Sequence, residues 1–322
     1  MSFREVIGHD IPVEILQSAL HQRHLGISYL FYGPHGIGKS FVAKQFAKSL
    51  NCEAQDTDCC DKCSSCRRIN ALQYPDLHWI DIQDDSENIK IEQIRTIQEA
   101  ISLRPFEGKA KVFIINNCQS LTEEAANCLL KVVEEPPLDS VIMLIAASVR
   151  LVLPTIASRC QKIRFSNLRR QQADELLQKN YNVDASESRY LAYYLDGRVG
   201  DALSLRQAEF FPQKESVLNA CIHDMGAAKF ESICKDKPQA QQAISVLMSW
   251  FRDVLFAKLA MPDDSLINYD RAREVSIDAK KYSYVYVLSA LDTLTRSFEY
   301  LKSNANIRLV LDNINVSLTW KS

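Results

Sequence analysis

The chain has 322 residues, 47% apolar and 24% charged, a composition that packs cores, excludes a disordered or fibrous chain, and at this length predicts two or three domains. A formal net charge of −2 and a pI near 6.3 exclude a protein that coats nucleic acid over its whole surface, because phosphate affinity needs a basic face. No run approaches the roughly 20 apolar residues of a membrane span, and Met1-Ser2-Phe3-Arg4-Glu5 holds no apolar signal core, so a cytoplasmic protein without membrane contact is expected.

Ile11, Ile15, Leu16, Ala19 and Leu20 fall at helical spacing, and Tyr29-Leu30-Phe31-Tyr32 is a short apolar run ending at Gly33. A helix and then a strand are predicted there. Phe41, Val42, Phe46, Ala47 and Leu50 carry a second helix up to a cluster of cysteines. Apolar runs at 77–82, 111–115 and 141–147 predict buried parallel strands with helical patterns around them. The fold class is α/β. From Asn167 the strand signals stop. Helical patterns at 168–177 and 188–195, then Gly197 and a short helix through Leu205, predict a small helical lid. From about Phe210 the pattern is wholly helical: Ile244, Leu247, Met248, Phe251, Val254 and Leu255 recur at offsets of three and four, as do Ile307, Val310, Leu311, Ile314 and Leu318. The expected division is a nucleotide-binding-type core at 1–166, a lid at 167–207 and an all-α domain at 208–322.

Gly33-Pro34-His35-Gly36-Ile37-Gly38-Lys39-Ser40 has the spacing of a phosphate-binding loop between a predicted strand and a predicted helix. The glycines let backbone N–H groups converge on phosphate oxygens at a helix N-terminus. Gly33, Gly36, Gly38, Lys39 and Ser40 are therefore the expected ATP or ADP contacts, with Lys39 on the β- and γ-phosphates and Ser40 on Mg²⁺ whenever nucleotide is bound. Hydrolysis needs more: an apolar strand ending in an Asp that holds the metal and, in many relatives, a following Glu. The best candidate, Val112-Phe113-Ile114-Ile115, ends in Asn116-Asn117. A neutral amide does not act as a general base, so hydrolysis is expected to be very slow.

Five of the ten cysteines lie between Cys52 and Cys66. In a long chain without a signal peptide this favours metal over disulfides. Cys60, Cys63 and Cys66 recur at two-residue intervals, and Cys52 lies upstream as a fourth thiol. That set suits a closed, tetrahedral, structural Zn²⁺ site in an insert at about 52–66. Cys59 is surplus, and either replaces Cys60 or stays outside the shell. Packing is the default role of the remaining cysteines.

Phe3-Arg4-Glu5-Val6-Ile7-Gly8-His9, the phosphate loop with its helix, and the cysteine insert directly after that helix resemble the clamp-loader branch of the AAA+ ATPases. The stretch from Ala126 to Pro137, containing Leu129-Leu130-Lys131-Val132-Val133-Glu134-Glu135-Pro136-Pro137, is similar to the bacterial clamp-loader signature. The resemblance covers roughly the first 205 residues, and in the helical remainder only Asn304-Ala305-Asn306-Ile307-Arg308-Leu309 is recognisable. It implies an AAA+ parallel-sheet domain, a helical lid and a C-terminal collar for oligomerisation.

Clamp loaders contain hydrolysing subunits and a non-hydrolysing relative, and three positions place this chain with the latter. Asn116-Asn117 replace the acid pair. In Gly197-Arg198-Val199-Gly200-Asp201-Ala202-Leu203, Gly200 stands where active subunits carry an arginine for the γ-phosphate, and Arg198 points to another side of the helix. Ser158-Arg159-Cys160 is intact, and the resemblance implies that Arg159 serves the ATP site of a neighbouring subunit. Ser148 matches a polar sensing position, although a loop serine is an equal reading. The implied partners are the clamp-loader ATPase subunits (gamma/tau) and the delta subunit in a hetero-pentamer, with the sliding clamp and primed DNA reached through the complex. Two rivals stand beside this: an active ATPase subunit hydrolysing in cis through one of Glu123, Glu124, Glu134 or Glu135, and a zinc-dependent nucleic-acid binder, which the acidic net charge disfavours.

Overall fold

The structure is a computed structural model that describes residues 2–22, 26–54, 57–83, 86–208, 210–223, 234, 236–303 and 305–319. Asn304, the first residue of the C-terminal fragment quoted above, lies outside them. Four of the five described strands are the predicted apolar runs: β1 (Ile27–Tyr32), β2 (Leu77–Ile80), β3 (Lys111–Ile115) and β4 (Ser140–Ala146). The fifth, β5 (Gln161–Arg164), was not predicted, and its burial explains why. Only Ile163 is buried while its three neighbours are exposed, so no apolar run marks it. All five strands are parallel, in the order β2-β3-β4-β1-β5. β5 is thus an edge strand beside β1.

Contacts divide the chain into two units, 1–176 with 197–201 and 177–196 with 202–322. In the first unit, helices cover both faces of the sheet, because alternate residues of each central strand point to opposite sides. Tyr29, Phe31, Val112, Ile114, Val141 and Met143 pack with α1 (Asp10–His21), α2 (Lys39–Asn51) and α3 (Ser64–Asn70). Leu30, Phe113, Ile115, Ile142 and Leu144 pack with α4 (Ile91–Ile101), α5 (Glu123–Glu134) and α6 (Pro154–Ala157). The helical spacing in α1 is right but its inner face is Pro12, Leu16 and Leu20, and Ile11 is 71% exposed.

The second unit is all helical among its described residues. Helix α7 (Arg170–Tyr181) contributes to both units, α8 (Ala185–Tyr194) belongs to the second, and α9 (Val199–Gln207) starts in the first. The core of the second unit is built on α11 (Lys237–Lys258), against α10 (Phe210–His223), α12 (Ala272–Lys281), α13 (Tyr284–Lys302) and α14 (Ile307–Thr319). Trp250 is buried there and donates its indole N–H to Asp278 at 3.0 Å. No described helix is long and apolar enough to cross a membrane.

Candidate functional sites

β1 runs straight into the phosphate loop, and α2 starts at Lys39 behind Gly38, whose φ of 98° is left-handed. The free N–H groups of the first turn of α2 therefore face the loop, as an anion site needs. Lys39 is 6% exposed, and its ammonium donates to the carbonyls of Gly33 and Pro34 at 2.6 and 2.5 Å. Burial lowers it to about 8, with Asp201 pulling the other way. His9 Nε2 lies 2.7 Å from the Ile37 carbonyl. A carbonyl only accepts, so Nε2 carries the proton, and burial lowers the ring's pKa from its ordinary value. Ser40 stands next to Lys39 in the first turn of α2, partly buried.

The start of α9 lies directly on this loop. The Gly200 amide donates to the Gly36 carbonyl at 2.6 Å. A Cβ at Gly200 would sit 2.9 Å from that oxygen, and one at Gly36 would sit 2.1 Å from Asp201 Oδ1. Two glycines make the approach possible, and an arginine at 200 would have to displace one segment from the other. Arg198 is 2.6 Å from Asp201, one turn along its own segment, so its charge is taken up locally.

Asn116 and Asn117, at the end of β3, both turn their amides to one carboxylate: Asn116 Nδ2 donates to Asp81 Oδ2 at 2.7 Å and Asn117 Nδ2 to Asp81 Oδ1 at 2.9 Å. Sequence reasoning missed Asp81, although it satisfies the criterion used for β3, an apolar strand followed by an Asp. Its strand, β2, is the sheet edge three strands from β1, roughly 14 Å in the hydrogen-bonding direction. Glu123 and Glu124 open α5, where Thr122 caps the helix by accepting from Ala125 N. That is a helix-start role. Ser148 caps a 3-10 turn, its hydroxyl accepting from Arg150 N at 3.3 Å.

Arg159 stands at the opposite end of the sheet from the phosphate loop. In the β1–β5 register Tyr29 pairs with Gln161 and Tyr32 with Arg164; Arg159 lies in the turn that leads into β5, before its first residue, whereas the loop follows the last residue of β1. The four paired residues of the two parallel strands, about 13 Å, lie between them before the turn is counted, more than an arginine side chain spans. The guanidinium is half-exposed and contacts Glu134 Oε1 at 3.0 Å and the Thr155 carbonyl at 3.1 Å.

The cysteine insert brings together Cys52, Cys60, Cys63 and Cys66, with all four sulfurs within 4.8 Å of one another. A tetrahedral ion with Zn–S bonds near 2.3 Å needs sulfurs about 3.8 Å apart, so a slight contraction suffices. Cys63 N and Cys66 N point to the sulfurs of Cys60 and Cys63 at 3.3 and 3.4 Å. Backbone N–H groups of Lys62 and Cys63 pull the Cys60 thiol down to about 6, while burial pushes Cys66 up. Cys59 is not in the cluster; its thiol donates to Gln45 Oε1 at 3.7 Å. Glu53, also missed from sequence, accepts from Ser65 N and Oγ at 3.0 and 2.8 Å and fixes the start of α3.

The chain matches the family described as DNA polymerase III, delta subunit, over residues 8–169, and the C-terminal part of the DNA polymerase III delta subunit over residues 227–318. It is 29% identical over 316 residues to DNA polymerase III subunit delta' of Bacillus subtilis strain 168, covering 95% of this chain and 94% of that one. It is 34% identical over 209 residues to DNA polymerase III subunit tau of the same organism, covering 63% of this chain and 37% of that one; the chain thus spans little more than a third of tau. Its fold is similar to that of a DNA polymerase III gamma subunit-related protein from Thermotoga maritima, with a TM-score of 0.50, 20% identity, and coverage of 96% of this chain and 99% of that one.

Proposed function

The chain belongs to the DNA polymerase III delta-subunit family, in the clamp-loader branch of the AAA+ proteins, and from that premise we propose that it is the delta prime subunit of a bacterial replicative clamp loader. In this reading it joins gamma/tau ATPase subunits and a delta subunit in a hetero-pentamer that opens a sliding clamp and places it on primed DNA. It hydrolyses no ATP itself, and Arg159 completes the ATP site of its neighbour. The observation that carries the reading is that Arg159 precedes β5 while its own phosphate loop follows β1, at opposite ends of two paired parallel strands. An arginine so placed serves another chain's phosphates or none.

The lid spans 167–207 and the helical remainder forms the collar, in the division proposed from sequence. Gly33, Gly36, Gly38, Lys39 and Ser40 hold ATP or ADP, with Mg²⁺ on the phosphates, as a structural ligand. Cys52, Cys60, Cys63 and Cys66 hold Zn²⁺ in a closed site, which supplies cross-linking of the insert and no open position for chemistry. The four thiols are convergent and half of them fully buried, Cys52 and Cys66 at 0% exposure, which fits that ion.

Asp81 gives the rival reading, an ATPase in cis, one acid to call upon. Its carboxylate is held by two asparagine amides on the far side of β3 and β4 from the loop, which disfavours it as a metal ligand there. The assay is ATP turnover by the purified chain. Turnover is expected to be indistinguishable from a no-protein control; brisk turnover that Lys39→Ala abolishes would sink the proposal in favour of the rival.

A further inference from the structure

Arg159 is not a loose surface side chain, because its fork is held at both ends by acceptors from different elements. Nη2 meets Glu134 Oε1 at 3.0 Å, and Nη1 donates to the Thr155 carbonyl of α6 at 3.1 Å. Glu134 is the last residue of α5, and the frame around it is fixed. Ser28 of β1 donates its hydroxyl to the Val133 carbonyl at 3.1 Å, with both residues buried. Pro136 and Pro137 end the helix. Ser140 N and Oγ then donate to the Pro137 carbonyl at 2.9 and 2.7 Å, and Gly26 N donates to Ser140 O at 2.8 Å. The carboxylate therefore leaves a turn tied to β1 and β4.

We infer that Glu134 is the positioning residue for Arg159, holding the guanidinium in the orientation in which it meets a γ-phosphate bound to the neighbouring subunit; this rests on the proposed role of Arg159 in trans. Two of the fork's five N–H groups make these contacts, and the others remain for a phosphate oxygen. The pair is open to solvent, with the side chains 38% and 54% exposed, so it adds little to folding. Its contribution is to order the guanidinium before the phosphate arrives. A freely rotating arginine loses that conformational freedom at the moment of reaction, and a held one has already lost it. A lysine in its place would be a poorer tool, since with two acceptors satisfied an ammonium keeps one N–H for phosphate where the guanidinium keeps three.

The test uses the assembled clamp loader with its other ATP sites silenced, reading DNA-stimulated hydrolysis at the adjoining site. Glu134→Ala is expected to lower kcat roughly three- to tenfold with KM for ATP unchanged, Glu134→Gln is expected to lose less, and the chain's melting temperature should stay put. Adding Glu134→Ala to Arg159→Ala should lower kcat no further. If Arg159→Ala abolishes hydrolysis but Glu134→Ala leaves kcat unchanged or raises it, the positioning role is wrong while the finger stands. A further fall in the double variant also overturns the positioning role. If Arg159→Ala itself has no effect, the finger and the positioning role fail together.

Discussion

Replacing Arg159 with alanine is expected to slow ATP hydrolysis at the adjoining subunit's site by about 10³-fold or more, the usual contribution of an arginine supplied in trans to the charge that develops on a transferring phosphoryl group. The loss should appear in kcat, because the arginine meets that charge in the transition state, and clamp loading driven by that site should fall with it. Folding and assembly should survive. The residue is half-exposed and its ion pair with Glu134 is solvent-accessible, so the pair is worth at most about 1 kcal/mol. Arg159→Lys should recover little, since a point charge cannot reproduce a fork held between Glu134 and the Thr155 carbonyl. Unchanged turnover and loading in the Arg159→Ala assembly would remove the finger from the account.

The second large effect concerns the cysteine insert. Cys60→Ser with Cys63→Ser is expected to abolish zinc content, which should otherwise be one ion per chain by native mass measurement. Structural zinc contributes on the order of 10–16 kcal/mol to the folding of zinc-finger peptides at neutral pH, so its loss should loosen the insert outright. The consequences should spread beyond it. Lys48 of α2 is paired with Asp61, and Asp58 accepts from Phe3 N at 3.0 Å, tying the insert to α2 and to the N-terminal turn. Limited proteolysis should then cut between residues 52 and 66 in the variant and spare the parent chain. Cys59→Ser is the control, and its zinc content should be unchanged because that thiol faces Gln45. Full zinc in the Cys60→Ser, Cys63→Ser variant would refute the four-cysteine site.

Much of this was legible in the sequence, for identifiable reasons. The central strands are fully buried, so they read as continuous apolar runs, and the phosphate loop reads from fixed glycine spacing between strand and helix. The cysteine set reads from its intervals, but the choice between Cys59 and Cys60 depends on which of two adjacent side chains faces inward, and spacing carries no such information. β5 escaped because an edge strand with Ile163 alone buried shows no periodicity. Ile11 belongs to the apolar pattern of α1 by its spacing, yet it is exposed and Pro12 faces the core. Contacts between residues distant along the chain left no local trace at all. Glu134 and Arg159 are separated by 24 residues and three elements, and the carboxylate of Asp81 is claimed by amides 35 and 36 positions away. The resemblance sets Gly200 where an arginine is expected; its steric meaning, an amide seated 2.6 Å from the Gly36 carbonyl, is a long-range contact that spacing does not carry.

In the proposed assembly, the chemistry this chain supports lies in a neighbour's site and not in its own loop. Lys39→Ala in this chain alone, within an otherwise intact clamp loader, tests it most directly through the DNA-stimulated ATP turnover of the assembly. Turnover should stay within about twofold of the parent, because the loop holds at most a structural nucleotide and its lysine contributes to no transition state. A fall of an order of magnitude or more, in an assembly shown to contain every subunit, would mean that the phosphate loop from Gly33 to Ser40 hydrolyses ATP and that the chain is not a non-hydrolysing subunit.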